Sequence, residues 1–181
     1  LAEEGGRARV RLPFLASDID VLLPAWEAVG PDGSRIDVYD EILLLHYLGS
    51  TAAPPSAAEP ISFAEMPSGE FYMPAFRRRS IAPLVAAFGE RPDLLAPAAS
   101  RFGGRPVEGG DAAVVVPALP RIGVTVMVWR GEDDLPADAS ILMSGSVASY
   151  LSTEDVAVLC GAVAVRLVKE ARRFARRPVG G

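Results

Sequence analysis

The chain has 181 residues, half of them hydrophobic and 23% charged, with a formal net charge of −5. That length and balance suit one globular domain, 1–181, and exclude a disordered chain. The acidic surplus argues against a general nucleic-acid binder, and the single cysteine excludes an internal disulfide or a four-cysteine metal site built from this chain alone.

A lone cysteine also suits a reducing, cytoplasmic setting. No apolar run reaches the roughly 20 residues that span a bilayer, so no membrane association is expected. The acidic start, Leu1-Ala2-Glu3-Glu4, lacks a signal-peptide core. It opens on Leu rather than Met, which suits a trimmed N-terminus.

In chain order, residues 7–29 read as strands. Val10, Leu12 and Phe14 alternate with Arg9, Arg11 and Pro13 and give one apolar face. Ser17-Asp18 suits a turn, and Ile19 to Val29 a second strand, with Pro24 at an edge or bulge. Gly30-Pro31-Asp32-Gly33 is a turn. Residues 38–48 form a helix: Asp37 caps it, Asp40 complements its dipole, and Ile42, Leu45 and Leu48 follow helical spacing. Residues 50–60, rich in Ala, Pro and Ser, form a loop, and Ile61-Ser62-Phe63 a short strand.

Helices are expected at 80–89 and 92–101, punctuated by Gly89 and Gly103-Gly104. Residues 112–119 and 121–130 are β-branched and apolar, and Pro117 and Pro120 suit a bulged hairpin. The last helix starts at a capping-box-like Ser152 and Asp155, and Val156, Leu159, Val163, Leu167 and Phe174 recur at helical spacing. Val158, Val165 and Val168 occupy its other faces, so its centre should be buried on most sides. Arg172, Arg173, Arg176 and Arg177 complement its C-terminal dipole. Strands, helices, strands and a final helix favour an α+β fold: a mixed or mostly antiparallel sheet with helices packed on it, including a long C-terminal helix.

Several stretches carry a resemblance. They are Gly103-Gly104, Gly110-Asp111, Leu119-Pro120-Arg121-Ile122, and the run from Val128-Trp129-Arg130 through Glu132-Asp133-Asp134 to Pro136-Ala137. Ile141-Leu142, Ser149-Tyr150-Leu151 and Glu154-Asp155 follow, and residues 42–48 and 61–72 fit the same layout. Over roughly residues 9–168 the chain resembles the prokaryotic family catalogued as domain of unknown function 3786. The resemblance implies an accessory role linked to corrinoid or anaerobic one-carbon metabolism, and it brings no catalytic residues to carry over. Some members carry a cysteine-rich iron–sulfur module, which a chain with only Cys160 does not contain.

Four features could carry chemistry. Glu132, Asp133 and Asp134 could offer oxygen ligands to magnesium or calcium, although no EF-hand spacing is present, and a solvated loop paired with Arg130 is the plainer account. His46, the only histidine, could ligate a corrin cobalt or haem iron or act as a base; it could equally be hydrogen-bonded to backbone or carboxylate. Arg77, Arg78 and Arg79 could hold phosphate or carboxylate, or form a basic surface turn. Phe71, Tyr72 and Phe76 could stack on a flat ligand, or pack the core, and Trp129 offers a further aromatic face. Cys160 in an apolar helix should be inert, and the glycine pairs lack nucleotide-loop spacing.

The resulting expectation is an accessory domain that binds a small-molecule ligand or cofactor, of which a tetrapyrrole such as a corrinoid is one class. His46, Phe71, Tyr72, Arg77, Arg78, Arg79 and Trp129 are its candidate cofactor residues. The alternatives are a metal-assisted enzyme using the 132–134 carboxylates, or a module that binds a partner protein.

Overall fold

The computed structural model describes residues 2–4, 7–50, 59–132 and 134–175, with side chains for all of these but 2–4, 7 and 175. The fold is α+β, built on two antiparallel sheets. The first has strand order β1-β2-β3-β4: β1 (Ala2–Glu4), β2 (Arg7–Phe14), β3 (Ser17–Leu23) and β4 (Glu27–Val29). Every described pairing in it is antiparallel. The alternation expected for β2 holds: Leu12 and Phe14 are buried, while Arg9 and Arg11 face outward and bind Asp20 on β3.

Two details differ from the sequence reading. The β2–β3 turn falls at Leu15-Ala16 rather than Ser17-Asp18, and both residues have left-handed backbone, φ 47° and 63°. Two-residue hairpins favour positive φ at both central positions, usually announced by Asn or Gly. Here Leu15 is buried and its N–H donates to the Ala118 carbonyl, so packing offsets the backbone cost. The expected strand 19–29 is two strands, β3 and β4, separated by a turn containing Pro24 and Trp26, which lies at φ 54°.

Helix α1 (Val38–Gly49) is capped by Asp37, whose carboxylate accepts the Tyr39 N–H. Asp40 does more than complement the dipole: it is buried and binds Arg166 on the last helix. Loop residues 51–58 lie outside the described residues.

Next comes β5 (Ile61–Ser62), then a helical stretch longer than the spacing predicts. Helix α2 (Gly69–Phe76) runs through a π-helical turn (Arg77–Ile81) into α3 (Ala82–Phe88). Pro74 lies inside α2, and prolines argue against helix in a sequence reading. The widened turn follows Pro74 by three residues, and π-turns occur as single insertions inside α-helices. Helix α4 (Leu95–Ser100) follows a short 3-10 turn.

The second sheet has order β5-β9-β8-β7-β6, again with antiparallel pairings, where β6 is Arg105–Pro106, β7 Ala112–Leu119, β8 Ile122–Trp129 and β9 Asp138–Met143. The β7–β8 hairpin matches the expectation. Val114, Val116, Val124, Val126 and Val128 of the hairpin, with Ile141 and Met143 of β9, form the inner face of this sheet and are buried. Helices α3 and α4 and the final helix α5 (Thr153–Ala175) pack against this sheet.

The capping box of α5 is present. Ser152 Oγ accepts the Asp155 N–H at 3.2 Å, and Asp155 Oδ2 accepts the Ser152 N–H at 3.2 Å. Val156, Leu159, Val163 and Leu167 are buried as the periodicity predicts. Val165 is the exception, an exposed valine on the predicted buried centre. It lines a groove of about 580 Å3 between α3 and α5, with Pro83, Val168 and Arg172. One hydrophobic cluster joins residues of both sheets and of α1 to α5. Arg166 links the layers: it reaches Asp40 on α1 and lies 5.4 Å from the Phe14 ring on β2. Arg176 and Arg177 lie outside the described residues.

Candidate functional site

His46 lies on the last turns of α1, where its ring meets the N-terminus of α5. Its Nδ1 is 2.8 Å from Asp155 Oδ1, and its side chain is 57% exposed. The other carboxylate oxygen, Oδ2, accepts the Ser152 hydroxyl at 2.6 Å. One carboxylate therefore closes the capping box and orients the imidazole, leaving Nε2 with no described partner. A carboxylate behind Nδ1 is how proteins fix a histidine that acts through Nε2, whether as a ligand or as a base. Among the described residues no serine hydroxyl is hydrogen-bonded to His46; Ser152 bonds Asp155 instead.

Thr153 bonds the Pro67 carbonyl at 2.7 Å, so the segment leading into α2 reaches the same end of α5 as His46. From there α2 carries Phe71 and Tyr72. These are exposed, not core residues, at 81% and 54%. Their rings meet edge to face with centroids 5.2 Å apart. Two turns on, the π-turn exposes Arg77, Arg78 and Arg79 in succession, while Ser80 and Ile81 turn inward. The Ser80 hydroxyl is buried without a hydrogen-bond partner among the described residues.

Trp129 closes β8 at 39% exposure, directly across from Asp138 on β9. Arg77 reaches the same Asp138 at 3.4 Å. Arg77 and Trp129, 52 positions apart, therefore share one carboxylate neighbour. Gly110 gives the indole room: a Cβ there would sit 2.5 Å from the Val128 carbonyl oxygen and 3.4 Å from the Trp129 ring.

The acidic loop is tight. Glu132 and Leu135 exchange backbone hydrogen bonds of 2.9 and 2.6 Å, which places Asp134 in an exposed turn. Asp133 lies outside the described residues. Among the described residues no three His, Cys, Asp or Glu side chains group as metal ligands. Arg130 does not pair with Glu132 or Asp134 within the described residues; its N–H donates to Asp111 at 2.7 Å. Cys160 is fully buried in α5, and burial pushes its thiol up to about 12.

A family model, the domain of unknown function DUF3786, matches residues 2–166. The chain belongs to the DUF3786 family. No curated protein and no solved structure matches it. The description of DUF3786 names no activity, so residue roles in this DUF3786 domain rest on its geometry. No helix among the described residues is long and apolar enough to cross a membrane.

Sequence reasoning missed the partners that organise the DUF3786 candidates. Asp155 was read only as a cap, yet it also holds His46 from 109 positions away. Asp138 carried no signal at all. The structure pairs the Phe71 and Tyr72 rings, sets His46 beside Asp155, and places Asp138 both in ion-pair range of Arg77 and opposite Trp129 in the strand register. Three described cavities, of about 580, 250 and 290 Å3, are lined by other residues.

Proposed function

We propose that this DUF3786 chain is a single-domain, cytoplasmic accessory protein. It takes a flat, anionic cofactor on the outer face of the α2–π–α3 helix, with a tetrapyrrole such as a corrinoid as the ligand class. One observation carries the reading. An exposed, edge-to-face Phe71–Tyr72 pair is followed on the same helix by three exposed arginines. Exposed aromatic faces cost solvation unless something covers them, and they offer a stacking platform. Arginine forks suit the carboxylates or phosphate of such a ligand. His46, oriented by Asp155, supplies a nitrogen at the end of α5 from which α2 departs. Aspartate and Arg77 at Trp129 extend the polar rim.

A second reading, docking of a partner protein on the same face, is favoured by the 81% exposure of Phe71 on a helix. Aromatic and arginine side chains are also the residues that dominate protein interfaces. The visible absorbance spectrum of natively purified protein separates the two. A tetrapyrrole band that is lost in Phe71→Ala supports the cofactor reading. A colourless protein that leaves the spectrum of added hydroxocobalamin and haemin unchanged overturns it.

A further inference from the structure

A second cavity lies on the outer face of the five-stranded sheet, apart from the helix face above. Its volume is about 290 Å3, and its wall includes Arg105, Val115, Pro117, Arg121, Gly123 and Ser144. That is close to the small end of the range for ligand sites, so it suits a ligand of few heavy atoms. Within the described residues, neither arginine has a carboxylate in ion-pair range, and no acidic residue lines the cavity. In a chain of net charge −5 this is a local positive site.

The surroundings hold one of the arginines in place. Arg121 sits in the β7–β8 turn at φ 67°, a left-handed conformation that L-residues adopt only when their surroundings hold it. Its Nη1 donates to the Tyr150 hydroxyl at 3.3 Å. Tyr150 packs on Tyr47 with centroids 5.2 Å apart, and the Tyr47 hydroxyl donates to the Pro120 carbonyl beside Arg121. The turn, the guanidinium and the ring pair thus brace one another.

Ser144 adds a donor. Its Oγ accepts the Gly123 N–H at 2.9 Å, but its own hydroxyl has only a 3.5 Å contact to the Gly123 carbonyl. That exceeds the usual O–H···O range, so the proton is available to a ligand oxygen. Gly123 keeps the floor open, because a Cβ there would meet Val115 Cγ2 at 3.2 Å and Ser144 Oγ at 3.6 Å.

We propose that this cavity binds a small phosphate monoester. Arg105, Arg121 and the Ser144 hydroxyl take the phosphate, and the organic part lies on Val115 and Pro117. Two uncompensated guanidiniums balance a dianion, and guanidinium forks match phosphate oxygens. Apolar wall atoms beside the charges favour an ester over the bare ion.

Calorimetric titration with phenyl phosphate, inorganic phosphate and benzoate, at low salt, tests the assignment. Phenyl phosphate should bind with one-to-one saturation and more tightly than the other two. Arg105→Gln and Arg121→Gln should each weaken it about tenfold or more, the scale of a charge-assisted hydrogen bond. Gly123→Ala should weaken phenyl phosphate more than inorganic phosphate, because it narrows the floor and leaves the charges alone. If Arg121→Gln fails to fold, Arg121→Lys keeps the charge without the fork and should still weaken binding. Absence of saturation at millimolar ligand, equal binding of benzoate, or indifference to both arginine variants overturns the proposal. The helix face plays no part in these outcomes, so Phe71→Ala should leave phenyl phosphate binding unchanged.

Discussion

Leu159→Ala probes the packing that supports every candidate residue. Leu159 is fully buried in the second turn of α5, a helix packed by α1, α3, α4 and the second sheet. The substitution removes three carbons from water-free surroundings, worth about 2.4 kcal/mol at roughly 0.8 kcal/mol per buried CH2. A site enclosed by several elements collapses little, so a cavity contribution adds to this and the total falls near 3–5 kcal/mol. For a chain of this size that corresponds to a fall in Tm of very roughly 6–20 °C, at about 2–4 °C per kcal/mol. Urea unfolding followed by far-ultraviolet circular dichroism measures it, with Val165→Ala as the exposed control, expected within about 0.5 kcal/mol of wild type. A Leu159→Ala loss below about 1 kcal/mol, or one equal to that of Val165→Ala, would refute the placement of α5 as the central helix.

Ser80→Ala should leave stability unchanged or raise it by up to about 1 kcal/mol, because it deletes a buried hydroxyl with no partner among the described residues; a loss above about 1 kcal/mol in urea unfolding would show that the hydroxyl is satisfied. Cys160, its thiol pushed up to about 12 by burial, should resist alkylation at pH 8 in the folded chain and react on addition of denaturant. Hydrogen bonds and charge from Arg11, with Arg9, hold the Asp20 carboxyl below its ordinary value against a desolvation cost. Its stabilisation is therefore present above the unfolded value of about 3.9 and is lost as pH falls through the lower folded value. Asp20→Asn should lower stability at pH 6 and flatten the decline below about pH 4, and an unchanged acid limb would contradict the pairing.

Those elements whose signal is local were legible in the sequence. The β7–β8 hairpin follows from dense β-branched residues, and α5 from its capping box and a buried stripe that runs its length. Helix α1 follows from its Asp37 cap, but the expected stripe is not the buried face: Ile42 is exposed and Leu45 and Leu48 are half-buried, while Leu43, Leu44 and Tyr47 pack into the core. What failed had a physical cause in each case. Gly69 and Pro74 masked α2, because their propensity argues against helix and only packing of Phe76 and Ile81 into the core overrides it. The Leu15-Ala16 turn has no Asn or Gly to announce it, since buried Leu15 secures it instead. Strand β9 lacked a strong β pattern: Asp138-Ala139-Ser140 open it, and its Ile141 and Met143 face is defined by pairing with β8.

The candidate site was legible as residue types and not as partnerships. His46, the arginine run and the aromatics stood out by chemistry. Asp155 and Asp138, which bind His46 and Arg77, did not, because long-range pairing leaves no local periodicity. Phe71 and Tyr72 are a further lesson: composition alone assigns such rings to the core, and here they are on the surface.

Titration of the purified protein with hydroxocobalamin, followed by visible absorbance, tests the central claim most directly. The account predicts a saturable spectral shift in wild type. That shift should disappear in His46→Ala, which removes the imidazole that would hold the cofactor, and need about tenfold more ligand in Phe71→Ala, which removes one stacking face worth roughly 1 kcal/mol or more. Absence of any shift in wild type, or a shift of equal size and midpoint in both variants, would contradict it.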